Sequence, residues 1–168
     1  MRRNMLIVAA ALLVLSAGSS FASSAPETQK DLARARIATH QYHDPATAVR
    51  DGFRPTNDCV ALPDGTGMGY HYVAPARMDF RLVLEEPEAL LYEPSGNGRK
   101  LVGIEYIVPD ADQNLATDDD RPQLFGQPFD GPMPGHTPGQ PIHYDLHVWI
   151  WEANPNGTFA PWNPNVGC

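Results

Sequence analysis

The stretch HYDLHVWIW, residues 143–151, alternates two kinds of side chain, and this alternation decides the class of fold. Successive side chains of a β-strand point to opposite faces, so each set belongs to one face. The first set is polar and aromatic: His143, Asp145, His147, Trp149 and Trp151. The other set is apolar throughout: Ile142, Tyr144, Leu146, Val148 and Ile150. The pattern predicts a strand with one face in the core and one face lining a site.

Outward from this strand, the chain predicts a mainly β protein with a helical start. Candidate strands occupy 67–75, 80–84, 88–93 and 99–108, and PSGNG predicts a hairpin turn between the last two. The segment 25–52 predicts two helices, with Asp44 capping the second and Gly52 ending it. The proline- and glycine-rich stretch 125–141 predicts a long ordered loop over one end of the sheet. We therefore expect a small antiparallel barrel or sandwich, cupin-like in shape, over 53–168, in one domain with the helical segment.

Residues 1–24 have the order of a secretory signal peptide. A basic start, MRRNM, precedes the apolar run LIVAAALLVLSAG and the small residues SSFASSA. The apolar run is too short for a membrane span. The pattern predicts an exported protein, periplasmic or extracellular after cleavage. Export to an oxidising compartment favours a disulfide between Cys59 and Cys168, the only two cysteines, which would pin the C-terminus to the body.

The charge of the chain narrows the range of partners. Its 20 acidic and 12 basic residues give a formal net charge of −8. Such a protein repels phosphate backbones, so a nucleic-acid partner is not expected, and the same charge opposes binding to anionic membrane surfaces. No second apolar segment is long enough to span a bilayer. The expected partner is a small-molecule ligand, and the sequence does not predict an oligomeric state.

Glu105 interrupts the apolar stretch LVGIEYIV. Both sets of alternating residues around it are apolar, which predicts a strand buried on both faces. A buried carboxylate without a partner costs several kcal/mol, so Glu105 needs a cation, hydrogen-bond donors or a proton. The alternatives are an ion pair with an arginine such as Arg81, or a face that is solvated.

The polar residues of three predicted strands suggest a metal site. His71, Glu105 and His147 together offer imidazole nitrogens and a carboxylate, which suit zinc, iron, copper or manganese. Asp145 would ligate the ion or orient a histidine, and His143 would lie nearby. At ~3.3 Å per residue, His143 and His147 have Cα atoms ~13 Å apart and cannot easily share one ion. Four aromatic residues are expected to supply stacking surface: Tyr70, Tyr106, Trp149 and Trp151. Taken alone, His71 is more simply explained as a hydrogen-bonded core residue.

Three functions are compatible with these residues. In the first, the metal acts as a Lewis acid or redox centre on a small or carbohydrate-like ligand. In the second, a non-catalytic binding module holds an apolar ligand in an aromatic-lined cavity, and its histidines only form hydrogen bonds. In the third, a structural envelope protein uses the same groups as a buried polar network. Serine is scarce after the leader and no glycine-rich phosphate loop follows a strand, so a Ser-His-Asp hydrolase is not expected.

Several segments resemble a broad group of small exported bacterial proteins. They are YHDPATAVRDGF, GMGYHYVAP, PEALLYEP, LVGIEY, LFGQPFDG and HVWIWEANPNGTFAPWNPNVGC. The resemblance covers most of the chain after the leader. It implies export and a single domain, and it implies no reaction and no catalytic residues.

Overall fold

The computed structural model describes residues 25–137 and 139–168, so the predicted signal peptide lies outside the described residues. Helix α1 spans Ala25–Thr39, a 3-10 turn spans His40–His43, and helix α2 spans Pro45–Arg50. Asp44 caps α2 as predicted, accepting a hydrogen bond from the Ala46 amide at 3.0 Å. Neither of these helices is long and apolar enough to cross a membrane.

The strands form a curled six-stranded antiparallel half-barrel. The strand order across the sheet is β1-β2-β3-β4-β8-β7, and a separate two-stranded ribbon pairs β5 with β6. The prediction of a mainly β antiparallel protein with an N-terminal helical segment is confirmed. The bounds are β1 Arg54–Ala61, β2 Gly67–Val73, β3 Ala89–Ser95, β4 Gly98–Pro109, β5 Gln123–Leu124, β6 Gln127–Pro128, β7 Asp130–Met133 and β8 His143–Val148.

Several element predictions were wrong in ways that local structure explains. Residues 80–84 form no strand, because both sides of β3 are already paired, by β2 and β4, and no free edge remains there. The mostly exposed edge strand β1 was missed because it has no apolar alternation. The stretch 125–141 contains β6 and β7 in addition to loops. The strand 143–151 was predicted too long: β8 ends at Val148, and the alternation of its side chains ends with it.

The two faces of the sheet pack against different parts of the chain. Because Leu90 and Leu91 are neighbours in β3, they point to opposite faces. Leu90 belongs to the larger core, which includes Tyr42 and Ala48 from the helical segment. Leu91 belongs to a second cluster, whose members are Leu91, Val102, Trp149 and Val166. The C-terminal tail therefore covers part of the second face.

A disulfide fixes the C-terminal tail at its end. Cys59 on β1 is bonded to Cys168, as predicted, with a Cα–Cα distance of 5.7 Å. Asn163 also pairs with Gly67 through backbone hydrogen bonds in both directions. The tail is thus held against β1 and β2 at two points.

Gly69 in β2 allows an unusually close approach between strands. Its φ is +80°, and a Cβ atom there would lie 2.3 Å from the backbone oxygen of Tyr92. Only glycine fits this position without moving the backbone. The close contact sets the path of β2 two residues before His71.

Glu88 lies just before β3 and is buried. Its side chain forms a hydrogen bond with the backbone of β4 beyond the last residue pair of the two strands. Its carboxylate accepts a hydrogen bond from the Ile107 amide at 3.0 Å. Burial raises the pKa of Glu88 from its ordinary value of 4.5 to about 7. The folded protein therefore binds this proton more tightly than the unfolded chain does.

We expect the metal-free protein to lose stability as the pH rises from 4.5 through 7, because the unfolded chain gives up the proton on Glu88 more readily than the folded protein does. A shift of this size corresponds to roughly 2–3 kcal/mol in the free energy of unfolding. Glu88→Gln, which keeps an acceptor for the Ile107 amide, should remove the part of that decrease that Glu88 contributes, as measured by urea unfolding across the pH range. The exposed neighbour provides the control, Glu86→Gln. Equal pH dependence in wild type and Glu88→Gln would contradict the prediction.

Candidate metal centre

The pairing of β4 with β8 brings two of the predicted site residues together. Glu105 lies directly opposite His147 in the antiparallel register. Directly opposed residues have Cβ atoms about 5 Å apart, so their side chains meet on one face. Both side chains are buried.

His71 reaches the same place from β2, with β3 in between. His71 is paired with Leu91, and the next residue of β3 on this face, Ala89, is paired with Glu105. Two strand spacings separate β2 from β4 by about 10 Å. The small side chain of Ala89 leaves room for His71 and Glu105 to meet above β3, with His71 Nε2 at 3.4 Å from Glu105 Oε2.

These three side chains come close without satisfying one another. His147 Nε2 lies 3.9 Å from Glu105 Oε1, which is too long for a hydrogen bond. Glu105 Oε2 and both ring nitrogens of His147 are buried and have no hydrogen-bond partner among the described residues. The predicted alternative of an ion pair between Glu105 and Arg81 is not found in the described chain, where the basic side chains within 4.0 Å of the Glu105 carboxylate are those of His71 and His147. Buried polar atoms in this condition are costly unless something else binds them.

The electrostatics of the site favour metal ligation. Burial lowers the pKa of His71 to about 4 and that of His147 to about 3, and nearby histidines add to both effects. Both imidazoles are therefore neutral at neutral pH and keep a lone pair. Burial, reinforced by Asp145 and Glu88, raises the pKa of Glu105 well above its usual range. A cation bound here would take the place of the proton on Glu105.

A second group of possible ligands lies near the start of β8. His143 and Asp145 project from the same strand face, and His136 approaches from the loop after β7. One ligand atom from each of these residues lies within 4.8 Å of the others, which is also true of His71, Glu105 and His147. His143 and His147 belong to different groups. The described residues thus contain two sets of side chains that could hold a metal ion, each with two histidines and one carboxylate.

The four predicted ligand-lining aromatic residues do not lie together. Trp149 stacks near His147 at 6.2 Å between ring centroids, and its indole nitrogen donates to Ala160 O. Tyr106 lies in the core on the opposite face, where its hydroxyl donates to Leu84 O. Two others lie elsewhere: Tyr70 under the Arg99 guanidinium, and Trp151 against His43.

His136 is the site residue that the sequence did not reveal. It lies in the proline- and glycine-rich stretch, which was predicted to be a loop without any assigned role. Its ring centroid is 5.0 Å from that of His143. The signal available was the lone histidine in GHTPG next to a strand with two histidines, and spacing along the chain does not show that the loop folds back onto β8.

No family model, curated protein or solved structure matches the chain. The geometry of the residues is therefore the basis for assigning a function.

Proposed function

We propose that the protein is an exported metal-binding protein that holds a divalent transition-metal ion with His71, Glu105 and His147. The observation that carries this proposal is the meeting of three potential ligands, from three strands, around buried atoms that have no hydrogen-bond partner in the part of the chain that the structure describes. We call this set the inner site.

The spacing of the ligand atoms suits a metal ion. Ligands 2.0–2.1 Å from a tetrahedral zinc ion lie about 3.3 Å apart. His71 Nε2 and Glu105 Oε2 are 3.4 Å apart, and His147 Nε2 and Glu105 Oε1 are 3.9 Å apart. One ligand atom from each of the three residues lies within 4.8 Å of the others, so binding an ion requires the three side chains to draw closer together.

The composition of the inner site narrows the choice of metal and its role. Two histidines and one glutamate are the ligands of several catalytic zinc sites, and two histidines with a carboxylate also bind iron(II). Manganese and copper accept the same donors. Three protein ligands leave at least one coordination position for water or a small ligand. The bound ion would act there as a Lewis acid or, if it is iron or copper, as a redox centre.

The two competing functions have less support. An aromatic-lined cavity for an apolar ligand requires aromatic side chains that face one space, whereas Tyr106 and Trp149 lie on opposite faces. A purely structural polar network requires hydrogen bonds within it, whereas His147 forms none with the described residues through its ring nitrogens.

Export is part of the proposal. Its support is the leader-like segment 1–24 in the sequence and the disulfide between Cys59 and Cys168, which persists in oxidising compartments. The resemblance to small exported bacterial proteins points the same way.

The test is metal analysis of the protein purified from an exporting host. We expect tight uptake of zinc, iron, copper or manganese that depends on His147. Glu105→Gln and His147→Ala should each weaken this uptake at least about 100-fold in competition titrations against a chelator, because each removes one of three ligands. Circular dichroism checks that both variants remain folded.

The matched control is His40→Ala, which removes an exposed histidine outside the site. It should bind metal like the wild type. The proposed function would be refuted if each of the four metals stayed below about a tenth of an equivalent, both after purification and after titration. Normal binding by His147→Ala would refute the ligand assignment.

A further inference from the structure

The second group of ligands lies next to the inner site and nearer to solvent. His143 and Asp145 are buried, whereas His136 is exposed. We propose that the protein binds a second divalent transition-metal ion with His136, His143 and Asp145, and that Asp145 links this outer site to the inner one. The outer site does not require the inner site to bind metal.

The ring of His143 is oriented for metal binding. Its Nδ1 lies 3.1 Å from the backbone oxygen of Pro141 and donates to it in the neutral ring. This leaves the lone pair on Nε2, which is buried and has no hydrogen-bond partner among the described residues. A backbone carbonyl that selects the tautomer and aims the other nitrogen is a usual feature of metal-binding histidines.

Asp145 supplies a carboxylate without a fixed cationic partner. No lysine or arginine of the described chain forms an ion pair with it, and the basic side chain within 4.0 Å of it there is that of His147, with Nδ1 at 3.8 Å from Asp145 Oδ1. Asp130 lies opposite Asp145 in the β7–β8 register and adds negative charge. A bound cation would neutralise this buried carboxylate.

His136 completes the outer site from the loop between β7 and β8. Its backbone amide donates to the side-chain oxygen of Gln140 at 2.9 Å, which holds the start of the loop in place. Its ring lies 5.0 Å from that of His143 at an interplanar angle of 74°, so the two rings do not stack and can turn their nitrogens toward one point. Because His136 is exposed, an ion in the outer site is open to solvent and to exchange.

The imidazole ring of His147 lies between the two sites. His147 faces Glu105 with Nε2 and Asp145 with Nδ1. When Nε2 binds an inner ion, the Nδ1–H faces Asp145 across 3.8 Å, and a small approach would form the hydrogen bond of a carboxylate–histidine–metal triad. Asp145 can ligate the outer ion with one oxygen and accept a hydrogen bond from this N–H with the other. Occupation of one site should therefore change the affinity of the other.

The experiment is a titration of the metal-free mature protein with zinc for stoichiometry and with cobalt(II) for its absorption spectrum. The wild type should bind two equivalents. His136→Ala, at an exposed position that leaves the core unchanged, should bind one, and so should the near-isosteric His143→Gln. His40→Ala should bind two. Asp145→Asn should lose the outer equivalent and weaken the inner one about 10- to 100-fold, as loss of a ligand-orienting carboxylate does.

Other stoichiometries decide between the inner and the outer site. One equivalent in the wild type that is lost in His147→Ala and unchanged in His136→Ala would overturn the outer site and leave the proposed function standing. One equivalent that is lost in His136→Ala and kept in His147→Ala would support the outer site and refute the inner one. Loss of all metal in both variants would show a single shared centre and overturn the inference. A wild type that binds no metal would refute both.

Discussion

Removal of the disulfide by the double substitution Cys59→Ala and Cys168→Ala should lower the free energy of unfolding by roughly 4–5 kcal/mol. The bond joins residues 109 positions apart, and closing a loop of that length restricts the unfolded chain strongly. Most small domains have only 5–15 kcal/mol in total, so the effect is a large part of their stability. Urea unfolding at equal pH measures it.

The same variant should loosen the tail before the sheet unfolds. Val166 packs against Leu91 and Trp149 in the second cluster, and its amide donates to Asn163 O. Hydrogen exchange at Val166 should increase relative to β4. Reductant added to the wild type should reproduce both changes, and reductant added to the double variant should have no effect. A loss of less than about 1 kcal/mol would show that the tail is held mainly by packing.

Replacing Glu105 with methionine should have opposite effects on stability and on metal binding. The carboxyl group of Glu105 is buried, and one of its oxygens has no hydrogen-bond partner among the described residues. A buried polar group without a hydrogen-bond partner costs about 1–3 kcal/mol, and an apolar side chain of similar volume avoids that cost. We expect Glu105→Met to unfold at a higher temperature than metal-free wild type, in scanning calorimetry with chelator present.

With metal added, the order should reverse. Wild type gains about 2.7 kcal/mol when the free metal is at one hundred times its dissociation constant, whereas Glu105→Met has lost an inner ligand and gains less. The control is the same change at an exposed glutamate, Glu86→Met, which should neither stabilise the metal-free protein nor alter metal binding. If Glu105→Met destabilises the metal-free protein, Glu105 has a structural role that the unpartnered oxygen does not reveal.

Alternation within strands allowed much of the fold and part of the site to be predicted. The segment 101–108 was expected to be buried on both faces, and Leu101–Pro109 of β4 are all buried. The same reasoning put Glu105 and Tyr106 on opposite faces. Tyr106 was nevertheless expected at the site, and the structure places it in the core.

The register between strands could not be predicted in the same way. His147 lies opposite Glu105 because β4 and β8 pair at one register out of many, and the long segment between them does not select it. The meeting of His71 with Glu105 depends on β3 lying between β2 and β4, and on Ala89 being small at the crossing point. His136 belongs to a loop whose path depends on tertiary contacts, so local sequence could not place it.

The half-barrel leaves β1 and β7 each paired on one side only within the described chain. An open sheet edge is normally a template on which a second chain can add a strand and begin to aggregate. Both edges carry a proline, Pro55 in β1 and Pro132 in β7, and a proline cannot donate a backbone hydrogen bond to an added strand. β7 is also only 4 residues long. The proline in each edge strand therefore makes both edges less favourable templates for an added strand.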